Sequence, residues 1–184
     1  VLACYDAALE IFKGLGAHLK PFPLPRSIDD MRFAVATIIG VEGYYYHGAL
    51  YENPDNSMDE DVKKRIIAGK KEPSNKYVRL MRQRLSDRHA FLDAMDNISA
   101  ILTPSVPVTP PVVDEIDQDT APSQFTRMAN YLGFCALATP IRLSESGLPT
   151  SLQVVCRGGD ESSALRIGAA FEEVEGNIGG PAGW

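Results

Sequence analysis

The chain has 184 residues, 45% of them hydrophobic and 23% charged, a composition that suits one globular domain or part of one. The net charge of −6 argues against direct nucleic-acid binding, because phosphate binding requires a basic surface. No apolar run approaches the ~20 residues of a membrane span. The three cysteines, Cys4, Cys135 and Cys156, form no C-x-x-C pair, which favours a reducing, cytoplasmic location.

The first residues have the pattern of an amphipathic helix. Leu2, Tyr5, Leu9 and Phe12 recur at helical spacing and predict a helix over residues 2–15. The sequence opens on valine within this pattern, so we expect it to be part of a longer chain. The segment AHLKPFPLP follows and is predicted to be a brief strand and turn, because a residue that precedes proline is disfavoured in the α region.

Three further helices are predicted before residue 98. Ser27 and Asp30 have the spacing of a capping box and begin a helix that runs through VEGYYYHGALYEN. The segment MDEDVKKRIIAGK is a short helix with acids at its start and bases toward its end. Pro73 and Ser74 begin the longest helix. The predicted buried positions of the first and third of these helices are Ile28, Met31, Val35, Ile38, Ile39, Tyr77, Leu80, Met81, Leu85, Phe91, Leu92 and Met95.

The remainder of the chain predicts strands and two more helices. Residues 98–102 are a short apolar strand, and a proline-rich and acidic loop of about twenty residues follows. After a short helix that ends at Gly133, the segments FCALATPI and LPTSLQVVCR are strands joined by SESG, which predicts an antiparallel hairpin. A final amphipathic helix follows GGDES, and its predicted inner face is Ala164, Leu165, Ile167, Gly168 and Phe171. The pattern predicts an α/β fold with few strands for so many helices, which indicates an incomplete domain.

The common catalytic motifs are absent from the sequence. There is no phosphate-binding glycine motif, no metal-ligand spacing and no G-x-S-x-G elbow, so we predict no metal and no cofactor. Ser162 and Ser163 are interpreted as helix-capping residues. Cys135 and His47 would make a nucleophile–base pair, but a thiol within an apolar strand is usually structural.

A run of aromatic residues and one arginine are candidates for binding. Tyr44 to Tyr46 and His47 point around a helix, so one or two rings could line a pocket; a packed aromatic helix end is the alternative. Arg65 borders an apolar stripe and points either to solvent or into a cleft.

From Phe125 onward the chain resembles the closing segment of the amidase signature family of serine hydrolases. The resemblance rests on Asn130, Gly133, Pro140, Gly147-Leu148-Pro149 and Leu152-Gln153 in the family's order and spacing. Upstream, VEGYYYH, DVKKRIIAGK and ILTPSVPVTPP resemble the family's aromatic helix, basic helix and Thr-Pro loop. The resemblance implies that residues 1–184 are the C-terminal portion of one amidase-signature domain, a mixed β-sheet flanked by helices with the N-terminal catalytic half absent.

The family hydrolyses carboxamides with a serine that is activated through a cis-serine and a lysine, and no segment of this chain matches those three residues. The resemblance therefore implies no catalytic residue here and an inactive isolated chain. It implies substrate-binding roles for Arg65, Tyr46, His47 and Thr103. The expected partners are a small amide substrate and the absent half of the domain, with a homodimer left open.

Two alternatives remain open at this point. The family also includes the A subunits of glutamine-dependent amidotransferases, in which a residue that matches Arg65 binds the substrate carboxylate. The aspartate that those proteins use for the substrate's amino group aligns near Ser123, which favours a general amidase. Arg142 and Ser151 stand where the family commonly has glycine, so the chain is expected to be a divergent member. The second alternative is a non-catalytic binding module derived from this fold.

Overall fold

The computed structural model describes residues 1–116 and 122–176; the middle of the predicted acidic loop and the predicted loose tail, with Trp184, lie outside them. Six α-helices, one short 3-10 helix (Val113–Glu115) and three strands are present in the described ranges. The helices are α1 (Leu2–Gly14), α2 (Ile28–Glu52), α3 (Glu60–Gly69), α4 (Ser74–Ala94), α5 (Arg127–Leu132) and α6 (Glu161–Glu175). The strands are β1 (Ile101–Pro104), β2 (Cys135–Leu143) and β3 (Pro149–Cys156).

The three described strands form one antiparallel sheet in the order β1-β3-β2. The predicted hairpin is confirmed: β2 pairs with β3, and Gly147 in the connecting turn has a φ of +75°, which favours glycine. Strand β3 lies in the centre and is almost entirely buried, whereas β1 pairs with β3 along one edge only.

Each face of the sheet packs on its own hydrophobic cluster. Side chains of α2, α4 and α5 pack with Ile101 and Val155 on one face. Side chains of α1 and α6 pack with Leu152, Val154 and Cys156 on the other. Because side chains alternate along a strand, the even-numbered and odd-numbered residues of β3 belong to different clusters. The fold therefore has three layers, helices–sheet–helices.

The helix predictions are confirmed in position, with corrections to the buried faces. Ser27 caps α2, its Oγ accepting from the Asp30 amide at 3.1 Å. Three residues predicted to be buried, Ile39, Leu85 and Leu165, are exposed, Leu85 to 56%. Each lies at the margin of its apolar stripe, on a helix that packs against the sheet from one side, so the buried stripe is narrower than the apolar one.

Two other local predictions are wrong. The N-cap of α6 is Asp160, so Ser162 and Ser163 lie within the first turn and do not cap the helix. The segment after α1, predicted as a brief strand, forms no strand and pairs with none in the described part of the chain. A strand requires a hydrogen-bonded partner, and the local sequence pattern does not report whether that partner is present.

Helices α2 and α3 cross at a pair of glycines. A Cβ added at Gly69 would stand 1.9 Å from the carbonyl oxygen of Gly40 and 2.8 Å from the amide nitrogen of Val41. Both obstacles are backbone atoms, so they cannot rotate away as a flexible side chain can. The close approach of the two helices therefore depends on the missing side chain of Gly69.

We expect Gly69→Ala to destabilise the protein by about 1–3 kcal/mol, because overpacking forces the two helix backbones apart. Gly14→Ala is the matched control: a Cβ there meets no atom within 4 Å, and alanine favours the helical backbone. Urea unfolding followed by circular dichroism measures both. Equal stability of the two variants would contradict the proposed role of the glycine contact.

Candidate substrate-binding surface

The aromatic residues near the end of α2 face mainly solvent. The side chain of Tyr46 is 73% exposed, with its ring edge-on to Tyr45 at a centroid distance of 4.9 Å. The ring of His47, also exposed, lies 6.3 Å from that of Tyr46. These rings form an exposed aromatic surface, so the packed helix end that was the alternative interpretation is absent for Tyr45 and Tyr46. Exposed rings grouped in this way supply a large contact area for a ligand.

A hydrogen bond joins this aromatic surface to α4. The hydroxyl of Tyr77 donates to Oε1 of Glu42 at 2.9 Å, one helical turn before Tyr46. That hydrogen bond, with a smaller effect of burial, raises the pKa of Tyr77 above its ordinary value, so the hydroxyl remains a donor. The contact links α2 to α4, whereas the sequence pattern placed Tyr77 only on the apolar face.

Arg65 is exposed on α3. Its own carbonyl lies 3.5 Å from the position of a Cβ built on Gly40, so the turn that carries Arg65 packs directly on α2. The α2–α3 pair therefore carries three of the four predicted binding residues, Arg65, Tyr46 and His47. Thr103 lies apart from them, in the sheet.

Thr103 belongs to a polar group at the end of β1. It lies directly opposite Gln153 of β3, and Nε2 of Gln153 donates to its Oγ1 at 3.2 Å and to the carbonyl oxygen of Phe125 at 3.5 Å. Gln153 is only 4% exposed, on the same face as Val155 and thus toward α2 and α5. Gln153 is one of the residues on which the family resemblance rests, but no role was predicted for it. A glutamine within an apolar strand is the signal that could have identified it.

Ser105, which follows β1, is a second polar residue that sequence analysis missed. It is buried, and its amide donates to the carbonyl of Ser151 at 3.0 Å. Its Oγ has no hydrogen-bond partner among the described residues. A buried hydroxyl without a partner costs free energy, so we expect it to be satisfied by a group outside the described residues.

The structure separates Cys135 from His47. Cys135 packs with the α1–α6 cluster, whereas His47 lies on a helix that packs against the opposite face of the sheet. The Sγ of Cys135 donates to the carbonyl of Arg157 at 3.2 Å, and Cys135 stands opposite Cys156 in the strand pairing. The nucleophile–base pair is therefore not assembled, and Cys135 is a structural thiol.

A buried carboxylate of α4 holds α5 in place. Asp87 of α4 accepts hydrogen bonds from the Tyr131 hydroxyl at 2.7 Å and from Nε2 of Gln83 at 2.8 Å, and Arg26 lies 3.4 Å from it. Burial first, and then the bond to Asp87, raise the pKa of Tyr131. The role is structural: Asp87 fixes the helix that follows Phe125.

The arginines of α4, predicted to form a mostly solvated face, are divided in their roles. Arg84 donates to the carbonyls of Tyr131 and Asn130 at the end of α5, at 2.5 and 3.2 Å. Arg79 and Arg82 are exposed, as expected. Arginine near a helix C-terminus satisfies carbonyls that lack partners within the helix, so Arg84 works together with Asp87 to hold α5.

Within residues 1–116 and 122–176, no three His, Cys, Asp or Glu side chains are grouped so that they could bind a metal ion. None of the described helices combines the length and the apolar character needed to cross a membrane.

Comparison with solved structures defines the class of fold. A structure titled as a crystal structure of amidase superimposes with a TM-score of 0.84 at 21% identity, covering 95% of this chain and 42% of that one. The A subunit of glutamyl-tRNA(Gln) amidotransferase from Thermotoga maritima superimposes with a TM-score of 0.63 at 25% identity, covering 93% of this chain and 38% of that one. The architecture is therefore the α/β fold of the amidase signature enzymes.

A family model described as Amidase matches residues 2–165, and the chain belongs to the amidase family. Among curated relatives, the A subunit of glutamyl-tRNA(Gln) amidotransferase from Geobacter metallireducens is 29% identical over 91% of this chain. A fatty acid amide hydrolase of Oryza sativa subsp. indica is 25% identical over 93% of it. The match spans only 40% of the first protein and 30% of the second.

The environments of the cysteines predict an order of thiol reactivity. Cys135 is half-buried, whereas Cys4 and Cys156 are buried. Burial raises the pKa of the Cys156 thiol to about 11, so this thiol is almost entirely protonated at pH 8. We expect a maleimide to label Cys135 first in the folded protein and all three cysteines in urea, as read by mass spectrometry.

The same shift predicts a pH dependence of stability. The Cys156 thiol ionises at lower pH in the unfolded chain than in the folded one. The free energy of unfolding is therefore unaffected by this thiol below pH 9 and falls as the pH rises toward 11.

The control for the labelling experiment is Cys135→Ser, because this variant should be a folded protein with no fast-reacting thiol. Equal labelling rates for all three native cysteines would contradict these environments.

Proposed function

We propose that this chain is the C-terminal portion of a cytoplasmic amidase that hydrolyses the C–N bond of a linear carboxamide. The observation that carries the proposal is the family match over residues 2–165, from a chain that spans about two-fifths of the curated amidotransferase relative. No segment of the sequence resembles the family's serine–serine–lysine triad, so we assign those residues to the part of the relatives' length that this chain does not span. This chain then supplies one wall of the substrate cleft.

The proposed reaction determines what that wall must do. A serine attacks the amide carbonyl, and backbone N–H groups stabilise the oxyanion. The C–N bond then breaks, the protonated amine or ammonia leaves, and water hydrolyses the acyl-enzyme to release the acid and the serine. Residues of the wall neither attack nor transfer the proton in this scheme. They hold the amide so that its carbonyl carbon faces the serine, a positioning effect that contributes to the rate through orientation.

The geometry of Thr103 suits such positioning. Its Oγ1 already accepts the Gln153 amide, so its own proton is available to donate to an acceptor on the substrate. Gln153 is itself held by the Phe125 carbonyl, which limits the freedom of the pair. We therefore assign Thr103 to hydrogen bonding with a substrate carbonyl or carboxylate, and Gln153 to positioning Thr103.

The α2–α3 pair is assigned to the remainder of the substrate. The exposed ring of Tyr46 offers apolar area to the acyl or amine substituent, and His47 extends that surface. Arg65 offers a guanidinium to a substrate carboxylate. These assignments rest on the position of the three residues on one helical pair and on their match to the family's aromatic and basic helices.

The A subunit of a glutamine-dependent amidotransferase is the second candidate, because the first curated relatives have that name. The surroundings of Ser123 favour a general amidase. Ser123 stands near the aligned position of the acid that would bind the substrate's amino group, and its Oγ accepts from Nε of Arg127 at 3.2 Å. A guanidinium beside that position disfavours an ammonium group.

We expect the isolated 184-residue chain to be inactive toward simple aliphatic and aryl amides. The intact polypeptide should release ammonia from them, as measured with a coupled assay. Glutaminase activity of the intact polypeptide would favour the amidotransferase alternative. Activity of the isolated chain that survives Cys135→Ser would overturn the proposal that the nucleophile lies elsewhere.

In the intact polypeptide, we expect Thr103→Val to raise the KM for the amide about fivefold, because one hydrogen bond to the substrate is worth about 1 kcal/mol. Thr103→Ser, which keeps the hydroxyl, is the matched control and should remain near the original KM. A loss of kcat in both variants with unchanged KM would contradict a binding role for Thr103.

A further inference from the structure

The segment that follows α1 has few backbone partners. Residues 17–24 form neither a helix nor a strand. The amide of Ala17 donates to the carbonyl of Phe12, but no hydrogen bond in the described part of the chain engages the backbone of residues 18–25. Its backbone N–H and C=O groups are therefore available to pair with another strand.

This segment lies in the layer of the sheet. Leu19 packs against the α1–α6 cluster, whereas Phe22 packs against the cluster on the opposite face, its ring 6.1 Å from that of Phe91. Strand β1 divides its side chains in the same way: Ile101 belongs to the second cluster and Leu102 to the first. The segment is therefore oriented as a strand of the same sheet would be.

Strand β1 has an open edge. The Ser105 amide donates to the carbonyl of Ser151, so the odd-numbered residues of β1 direct their backbone groups toward β3. Leu102 therefore directs its amide and carbonyl away from β3. Its carbonyl accepts the Tyr5 hydroxyl at 2.9 Å, and its amide has no partner in the described chain. Pro104 lacks an amide, which is tolerated because that position also faces outward.

A groove separates the segment after α1 from β1 and the residues that precede it. Its volume is about 830 Å³, and its walls are residues 17–22 on one side and residues 97–102 on the other. Its floor is apolar and includes Leu9 and Phe12 of α1 and Ile167 of α6. The groove thus offers unpaired backbone groups on both walls and an apolar base, the combination that a single added β-strand requires.

We infer that this groove receives one β-strand from the part of the domain that this chain does not span, and that the strand pairs with the open edge of β1 and with residues 18–22. The occupant is an extended segment with apolar side chains toward Leu9, Phe12 and Ile167. About three-fifths of the length of the curated amidotransferase relative lies outside the match, so such a segment is available. The inference rests on the proposed function, in which the rest of the domain is the partner of this chain. It adds the place at which that partner binds and the kind of contact that it makes.

Hydrogen exchange of the intact polypeptide tests the inference without any substitution. We expect the Leu102 amide and alternate amides of residues 18–22 to exchange at least about 100-fold more slowly in the intact polypeptide than in the 184-residue chain. Fast exchange of Leu102 in the intact polypeptide would overturn the inference. So would protection that appears in the isolated chain and grows with its concentration, because that result would identify a second copy as the occupant.

A pair of variants isolates the backbone hydrogen bond. Leu102→Pro removes the outward amide and leaves the β1–β3 bonds in place, whereas Leu102→Ala removes a similar side chain and keeps the amide. We expect the proline variant of the intact polypeptide to have an unfolding equilibrium constant about tenfold larger than the alanine variant. Equal values would contradict strand pairing at this edge.

Amidase activity separates this inference from the proposed function. An intact polypeptide that hydrolyses amides while the Leu102 amide exchanges fast supports the function and overturns the strand. An inactive polypeptide with a protected Leu102 amide supports the strand and overturns the function.

Discussion

The structure depends on the burial of β3 between two layers of helices. Its even-numbered side chains pack against α1 and α6, and the side chain of Val155 packs against α2 and α5. Burial of apolar side chains on both faces is the main stabilising contribution that such a strand can make. The other described strands, β1 and β2, pair with its two edges. The helices pack on the two faces of the sheet that results.

That constraint also positions the proposed wall of the cleft. Gln153 is the one polar residue in the fully buried stretch from Leu152 to Cys156, and it turns toward the α2–α5 side, where it holds Thr103 and the Phe125 carbonyl. Asp87 and Arg84 then hold α5, which begins just after Phe125. The groups proposed to face the substrate are thus supported by buried hydrogen bonds, which limit their movement more than exposed bonds would.

Several polar groups have no hydrogen-bond partner among the described residues. They include the outward amide of Leu102, the buried hydroxyl of Ser105 and the backbone after α1. Exposed apolar residues accompany them on α2, among them Phe33 and Tyr46. Native proteins rarely leave buried polar groups without partners, and in the proposed function the rest of the domain would supply a partner for the Ser105 hydroxyl.

Sequence by itself determined the helices, the hairpin and the family. The local signals are the periodicity of 3.6 and 2 residues, the Ser27 cap and the turn glycine Gly147. Such signals indicate the local geometry of the backbone. Only the tertiary structure decided which face of each helix was buried, that residues 17–24 lack a strand partner, that Gln153 holds Thr103, and that Cys135 and His47 lie on opposite sides of the sheet. These depend on contacts between residues distant in the chain, because burial and strand pairing are properties of the neighbours that a residue meets after folding.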